Sequence, residues 1–503
     1  GVHQVDLELA PGETRQFMVL LGVGNREAAA RARAAMATPA DAARELEALR
    51  SHWHGLLGNL VVHTPEPAID SMVNVWNAYN CLITYTWSRA ASLVYSGERD
   101  GLGFRDTLQD ILGALPAIPG QARERLELML TGQCASGGAM PVVKPFAHRP
   151  GHEKPPQEDD YRADDCLWLF DAVPAYVKET GDLAWLSKVL PFADEGDATI
   201  FGHLRRAIEF NLARTGRHGL PSGLSADWND CLRLGPRGES VFVALQLRHG
   251  LARYAEMARL LELAQEESWA KSRLSEFDEL LQAHTWDGEW FKRAFEESGA
   301  PIGSQQSDEG KIYLNTQSWA VISGAATPAQ GKQAMDSVHR HLATEYGIAL
   351  CEPPYTRCDP SVIRAVLFNP GMKENAGIFC HPQGWAVIAE TLLGRGDRAY
   401  EFLMAYLPSA FNDRAEVREI EPYVHCQSTH GRHSRRFGAS RLPWLSGTAS
   451  WTYVAMTQHL LGIRPDWSGL RVAPVLPSHW AGFTASRRFR GATYLVEVIR
   501  SGS

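Results

Sequence analysis

Residues 3–22, HQVDLELAPGETRQFMVLLG, alternate apolar and polar side chains on either side of a Pro-Gly pair. This is the pattern of two antiparallel strands joined by a tight turn. A lone hairpin is marginal in water, so the segment (residues 1–24) is read as the remnant of a β-sandwich whose other strands lie upstream. Residues 25–65 read as a helical linker, because Ala, Arg and Glu recur at helical spacing. From 66 to 465 amphipathic or wholly apolar helices follow one another, separated by Gly- and Pro-containing loops. WAVIAETLL (385–393), the turn GRGD and RAYEFLMAYLP (398–408) form one predicted helical hairpin. VWNAYNCLITYTW (75–87), CLWLFDAVPAYVKETG (166–181) and TASWTYVAMTQHLLG (448–462) are apolar nearly all round. Such helices belong in an interior. Many paired helices sharing one interior suggest an α/α toroid, a mainly α fold. Residues 466–503 return to strand character and predict a small, incomplete C-terminal β domain.

Composition narrows the function. The 503 residues are 45% hydrophobic and 21% charged, with a net charge of −8. These values describe a globular protein with a sizeable core and no basic footprint for nucleic acid or anionic membrane. No apolar run reaches membrane-spanning length, and no signal-peptide pattern is present. The eight cysteines (81, 134, 166, 231, 351, 358, 380 and 426) include no CxxC pair. They predict neither a zinc site nor a disulfide framework, and reduced thiols point to a cytoplasmic enzyme without a metal.

The loops hold the unusual chemistry. SADWNDCL (225–232) places Asp227 and Asp230 around Trp228. An indole offers a sugar's apolar face a platform, and burial beside it keeps a carboxyl protonated. The competing reading is an N-cap Asp beside a core Trp. NPGMKENAGIFCH (369–381) gathers Lys373, Glu374 and His381, or else a loop with one solvated ion pair. EPYVHCQ (421–427) adds Glu421, His425 and Gln427, with a core histidine as the plain alternative. THGRHSRRFGASR (429–441) is an anion-binding rim or a solvated face. WLSGT (444–448) sets Ser446 and Gly447 at a helix entrance, where free N–H groups bind phosphate or a Ser simply caps the helix. The GLG of SGERDGLGFRD (96–106) lacks the spacing of a nucleotide loop.

In chain order, SRAAS (88–92), GERDGLGFRDTLQD (97–110), ADWND (226–230), NPGMKENAGIFCH, EPYVHCQ and WLSGTASW (444–451) resemble the inverting disaccharide phosphorylases of glycoside hydrolase family 94, the cellobiose, cellobionic acid and chitobiose phosphorylases. The resemblance runs from about residue 66 to the C-terminus. It implies an (α/α)6 barrel behind an N-terminal β-sandwich and helical linker, with a C-terminal β domain. It also implies a homodimer for the full-length protein. By resemblance Asp230 is the general acid, and Arg89, Arg99, Asp106, Trp228, Glu374 and Gln427 hold the non-reducing sugar. Lys373 neighbours the acceptor. Arg105, His381, Ser446 and Gly447 hold phosphate, with Ser446 standing where the family often has Thr. The implied reaction is reversible phosphorolysis of a β-linked glucosyl disaccharide to α-glucose 1-phosphate, a hexosyl transfer with phosphate as co-substrate and no cofactor.

One acid suffices for this chemistry. An inverting hydrolase needs an acid and a base, whereas phosphate is already an anion and attacks C1 directly. Arg105 and His381 are then expected across the sugar from a buried Asp230. Lys144, His148, Arg149, His152, Lys154 and Arg364 suggest a cationic acceptor side, suited to a gluconate acceptor and so to cellobionic acid. The alternatives are an inverting hydrolase, with Glu374 or Glu421 as base, and a non-catalytic sugar-binding fragment. A domain of a cyclic glucan synthase is a further one.

Overall fold

A computed structural model describes residues 2–88, 101–444 and 446–500. Two compact units divide the chain after Gly58. In the first, the expected turn is present: Gly12 is left-handed and Glu13 N–H donates to the Ala10 carbonyl at 2.9 Å. The strands are not. Residues 2–24 form no ladder, and Val5, Leu7, Phe17 and Val19 are half or more exposed. A hairpin without further strands to cover its apolar face gains too little to order itself. Two helices follow, α1 (Arg26–Ala35) and α2 (Pro39–Leu57). Thr38 and Asp41 close a capping box at the start of α2, with Pro39 in the first turn.

The second unit is mostly helical. α3 (Pro67–Ser71) runs through a π turn into α4 (Asn77–Trp87). Then come α5 (Phe104–Ala114), α6 (Pro119–Leu130), α7 (Leu169–Thr180), α8 (Ile200–Leu212), α9 (Val241–Leu260), α10 (Ala264–His284), α11 (Leu314–Ile322) and α12 (Pro328–Leu342). α13 (Gln383–Leu392), α14 (Gly396–Met404), the short α15 (Ala415–Arg418) and α16 (Thr448–Val454) complete the series. α5, α7, α9, α11, α13 and α16 each pack on the next, and α16 returns to α5, so the six close a cycle. α4, α6, α8, α10, α12 and α14 pack against members of that cycle. Burial separates the two sets: nine of the ten residues of α13 are buried, but only three of the 21 in α10.

The centre of the cycle is filled by indoles. Trp168, just ahead of α7, lies 5.4 Å from Trp319, 5.9 Å from Trp385 and 6.0 Å from Trp451, ring to ring. These come from four different positions in the ring of helices, and each buried indole removes a large apolar surface from water. The six inner helices begin at one mouth. Arg105 starts α5, Asp164 precedes α7, Asp227–Asp230 precede α9, Asn315 lies in the first turn of α11, His381 precedes α13 and Gly447 caps α16.

The predicted C-terminal strands form, as Ile463–Pro465 with Leu470–Val472 and as the hairpin Gly482–Phe489 with Ala492–Ile499. One element lay hidden in the helical linker. Leu60–His63 is a strand, pairing antiparallel with the hairpin from Leu60 opposite Arg487 to His63 opposite Thr484. Its alternation, with Leu60 and Val62 buried, is too short to stand out beside α2.

Candidate active site

Six separate stretches of chain, one ahead of or in the first turn of each inner helix, meet at the mouth. Asp230 sits at the end of the loop Ala226–Asp230, ahead of α9. Its side chain is 51% exposed, not buried as expected. Arg105 Nη2 donates to its Oδ1 at 2.6 Å, and Arg162 Nη2 lies 3.8 Å from the same oxygen. Arg105 is therefore beside the acid, not across from it. The same guanidinium donates to Asp164 Oδ1 at 2.9 Å and to the Asp227 carbonyl. Burial works against its charge, yet Asp164 and Asp230 hold it firmly protonated.

Asp227 is neither an N-cap nor a second acid. It is fully buried and accepts two 2.7 Å bonds from Arg293 Nη2, together with 2.6 Å from Ser240 Oγ and 2.9 Å from Asn229 N–H. Ser240, not Asp227, caps α9. Arg293 also donates to Asn229 Oδ1 at 2.8 Å, and Asn315 Nδ2 does so at 2.9 Å. This network rigidifies the backbone that presents Trp228 and Asp230.

Glu374 lies directly behind that backbone. Its Oε2 accepts from Asn229 Nδ2 and from Cys231 N–H, both at 3.2 Å. Burial, and then the Asp230 charge, push its carboxyl up to about 7. The loop carrying it is stitched by Asn375, which bonds both ways with the Tyr355 backbone at 2.7 and 2.9 Å and donates to the Phe368 carbonyl at 2.8 Å. Lys373 and Ala376 are both left-handed, and a Cβ on Gly377 would lie 2.6 Å from Lys373 backbone atoms. Lys373 itself is half-buried, with its ammonium 5.3 Å from the Phe368 ring centre.

Trp228 is 8% exposed and packs edge-on against Phe379, His381 and Trp385, with centroids 5.2, 5.3 and 5.0 Å away. His381 Nε2 donates to Gln109 Oε1 at 2.8 Å. Gln427 lies on the next strand, where its carbonyl accepts from Cys380 N–H at 2.8 Å. Ser446 Oγ bonds Thr448 Oγ1 at 2.7 Å and accepts Thr448 N–H at 3.1 Å, while Gly447 is the N-cap of α16. Thr448 Oγ1 in turn donates to the Cys426 carbonyl, next to Gln427. Asp106 is in the first turn of α5, partly buried. Arg89 and Arg99 lie outside the described residues.

Several of the remaining cations are engaged elsewhere. The His148 side chain is 4% exposed and tied to Thr131 and Glu153. Arg432 and His433 pair with Glu352, and Arg436 with Glu419. Arg364 is exposed, but its backbone N–H bonds the Cys231 carbonyl at 2.7 Å, which sets it just beyond the acid. His425 is a core histidine that burial drives down to about 3, and Glu421 is an exposed acceptor for the Trp444 indole.

Several residues at the mouth have no distinctive chemistry in the sequence. Arg162, Asp164, Gln109, Arg293 and Asn315 are common residue types whose importance comes from burial and partners. Asp165 belongs with them. Both its carboxyl oxygens are buried without a hydrogen-bond partner, and burial pushes it up to about 7. Among the described residues no group of three or more His, Cys, Asp or Glu could hold a metal ion, and no helix is long and apolar enough to cross a membrane.

Comparison with known proteins gives this geometry a context. The glycosyl hydrolase 94 superfamily catalytic domain matches residues 52–462. N,N′-diacetylchitobiose phosphorylase of Vibrio proteolyticus is 36% identical over 97% of this chain and 63% of its own length. Solabiose phosphorylase of Paenibacillus borealis is 31% identical over 99% of the chain and 63% of its length. Cellobionic acid phosphorylase of Neurospora crassa is 29% identical over 99% and 62%. The chain thus spans a little under two thirds of the length of these relatives. A family 78 rhamnosidase from a Bacillus species shares the fold at TM-score 0.55 and 13% identity, over 88% of this chain and 40% of that one.

Proposed function

The chain belongs to the glycosyl hydrolase 94 superfamily, and on that premise we propose that it catalyses inverting phosphorolysis of a β-linked disaccharide, releasing a sugar 1-phosphate and the acceptor sugar. The closed cycle of six inner helices with six outer partners supports reading the fold as an (α/α)6 barrel. The observation that carries the function is the pairing of Asp230 with Arg105 at a mouth built from six helix N-termini. Peptide dipoles there favour anions, and His381 and the Ser446–Gly447 turn add donors.

Asp230 is the acid in this reading. It protonates the bridging oxygen while phosphate attacks C1 from the other face of the sugar. In the free enzyme Asp230 is ion-paired with Arg105, and a disaccharide whose bridging oxygen reaches Asp230 must open that pair before the proton can be passed. Trp228 offers the donor sugar an aromatic face, and Glu374, Gln427 and Asp106 offer it hydrogen bonds. A hydrolase would instead need a base. Glu374 is already engaged by Asn229 and Cys231, and Glu421 is an exposed partner of Trp444.

The donor is a glucosyl unit in the reading taken from the sequence, with glucose or gluconate as acceptor. The 36% identity to enzymes named for diacetylchitobiose favours a second reading, a 2-acetamido sugar. One experiment separates these. Cellobiose, cellobionate and diacetylchitobiose are each incubated with and without phosphate, and sugar 1-phosphate is measured. Sugar released equally without phosphate makes the protein a hydrolase, and no turnover with any β-linked disaccharide leaves only a binding role.

A further inference from the structure

The mouth depends on a buried amide to which the resemblance assigns no role. Gln109 lies one turn into α5 and is 1% exposed. Its Nε2 donates to the Arg105 carbonyl at 3.0 Å, which fixes the orientation of the amide and leaves Oε1 as an acceptor. Two donors reach that oxygen, Trp451 Nε1–H at 2.9 Å and His381 Nε2 at 2.8 Å. A carbonyl oxygen can only accept, so His381 carries a proton on Nε2 whenever this contact is kept. The second proton of an imidazolium therefore enters at Nδ1.

We propose that Gln109 is a positioning residue for His381: by holding one proton on Nε2 it makes Nδ1 the titrating nitrogen, which donates to the oxyanion when the ring is charged. The proposal rests on the phosphorolysis reading above. The ring is 3% exposed and lies edge-on to Trp228 and tilted on Trp385, each 5.3 Å away. The charged ring is favoured by at least two contacts. One is the bond to Gln109, which is stronger from a charged donor than from a neutral one. A second is a bound oxyanion. Oxyanion affinity and His381 protonation are thereby coupled, and affinity falls as pH rises through the titration of the ring. An amide differs here from a carboxylate, which would hold the imidazolium permanently. Among the described residues, the other charged and titratable groups at this mouth include Arg105 and Asp106 on α5, Arg162, Asp164 and Asp165 ahead of α7, Asp227 and Asp230 ahead of α9, Arg293 ahead of α11, and Lys373, Glu374 and Cys380 on the chain leading to His381. Substitution at Gln109 changes none of these side chains, though it removes the bond to the Arg105 carbonyl.

The probe is sulfate, whose charge is constant across the neutral range, so any pH dependence belongs to the protein. Binding to the whole chain is followed by calorimetry against pH. Gln109→Met, which cannot accept, is expected to lose about tenfold in sulfate affinity, the size of one lost hydrogen bond to a charged donor. Its alkaline limb moves to lower pH. Gln109→Glu loses the donor to the Arg105 carbonyl but keeps an acceptor for His381, and its limb is expected to move to higher pH because a carboxylate holds the imidazolium more firmly. Disaccharide KM stays within a few-fold of wild type in both. Equal losses for sulfate and disaccharide, or a limb that does not move in a folded Gln109→Met protein, overturn the proposal. A wild-type measurement stands beside the variants. Nitrogen shifts of His381, assigned through His381→Asn, should show Nε2 protonated throughout and Nδ1 titrating, and the reverse pattern overturns the proposal without any substitution. Absence of sulfate binding to the wild type removes the phosphorolysis reading as well. Binding and turnover with the wrong pH behaviour removes only the role of Gln109.

Discussion

Replacing Glu374 by Gln should make the protein more stable and less active, and the gain should depend on pH. The carboxyl is fully buried and is pushed from 4.5 up to about 7 by burial and by Asp230. Between those two values the folded state binds a proton that the unfolded chain has lost. Stability therefore falls as pH rises from 4.5 through 7 and stays low above it. At about 1.4 kcal/mol for each pH unit separating the two values, the full cost is about 3 kcal/mol. Glutamine removes the charge and keeps an oxygen able to accept from both Asn229 and Cys231. For a chain of 503 residues this corresponds to a melting temperature about 3 °C higher. The assay is a pair of thermal melts for each protein, at about pH 5 and about pH 8.5. The two proteins should melt within a degree or so of each other at the lower pH and separate at the higher one. Equal melting at both, or a gap that widens in acid, would refute the reasoning. Phosphorolysis should drop in the variant, because a charged acceptor for a sugar hydroxyl has become a neutral one.

Asp230→Asn should lower phosphorolysis by about 10²–10⁴-fold while leaving the melting temperature nearly unchanged, since the side chain is half exposed; sugar 1-phosphate release reads the first and calorimetry the second. Arg293→Met strands the buried Asp227 carboxylate and should cost about 3–5 kcal/mol, seen as a fall in melting temperature that is reduced in Arg293→Met/Asp227→Asn. Gly377→Ala puts a methyl 2.6 Å from Lys373 backbone atoms. The Glu374 loop must then shift, and disaccharide KM should rise well before any loss of fold is visible by circular dichroism.

Much of this architecture could be read from the chain. Helices such as α7 and α16 are apolar nearly all round, and the structure buries most of their residues as that pattern requires. The strands after residue 462 show the expected alternation. What escaped was set by partners distant in sequence. Leu60–His63 becomes a strand only because Gly482–Phe489 offers it an edge. The hairpin of residues 3–22 has the opposite fate, the right alternation with no sheet to join. At the mouth, the acidic, indole and imidazole residues stood out because their chemistry is distinctive. Gln109 and Arg293 did not, since an amide or a guanidinium in a helix-rich chain is usually a surface residue. The placement of Arg105 was misread because charge sign alone does not say which carboxylate a guanidinium will meet.

The cycle of inner helices is sealed where α16 meets α5, the first member, and the outer helix α4 that precedes it. Asn77 Nδ2 donates to the Ala449 carbonyl, and Ser450 Oγ to the Asp110 carbonyl, across 372 and 340 positions. A chain leaving the ribosome cannot make these bonds until α16 emerges. For most of synthesis, the apolar side of α5 has no complete enclosure, a condition that favours aggregation. A truncation that removes α16 should therefore do more than lose the Ser446–Gly447 turn: it should leave an open arc of helices that fails to fold, however intact its remaining residues.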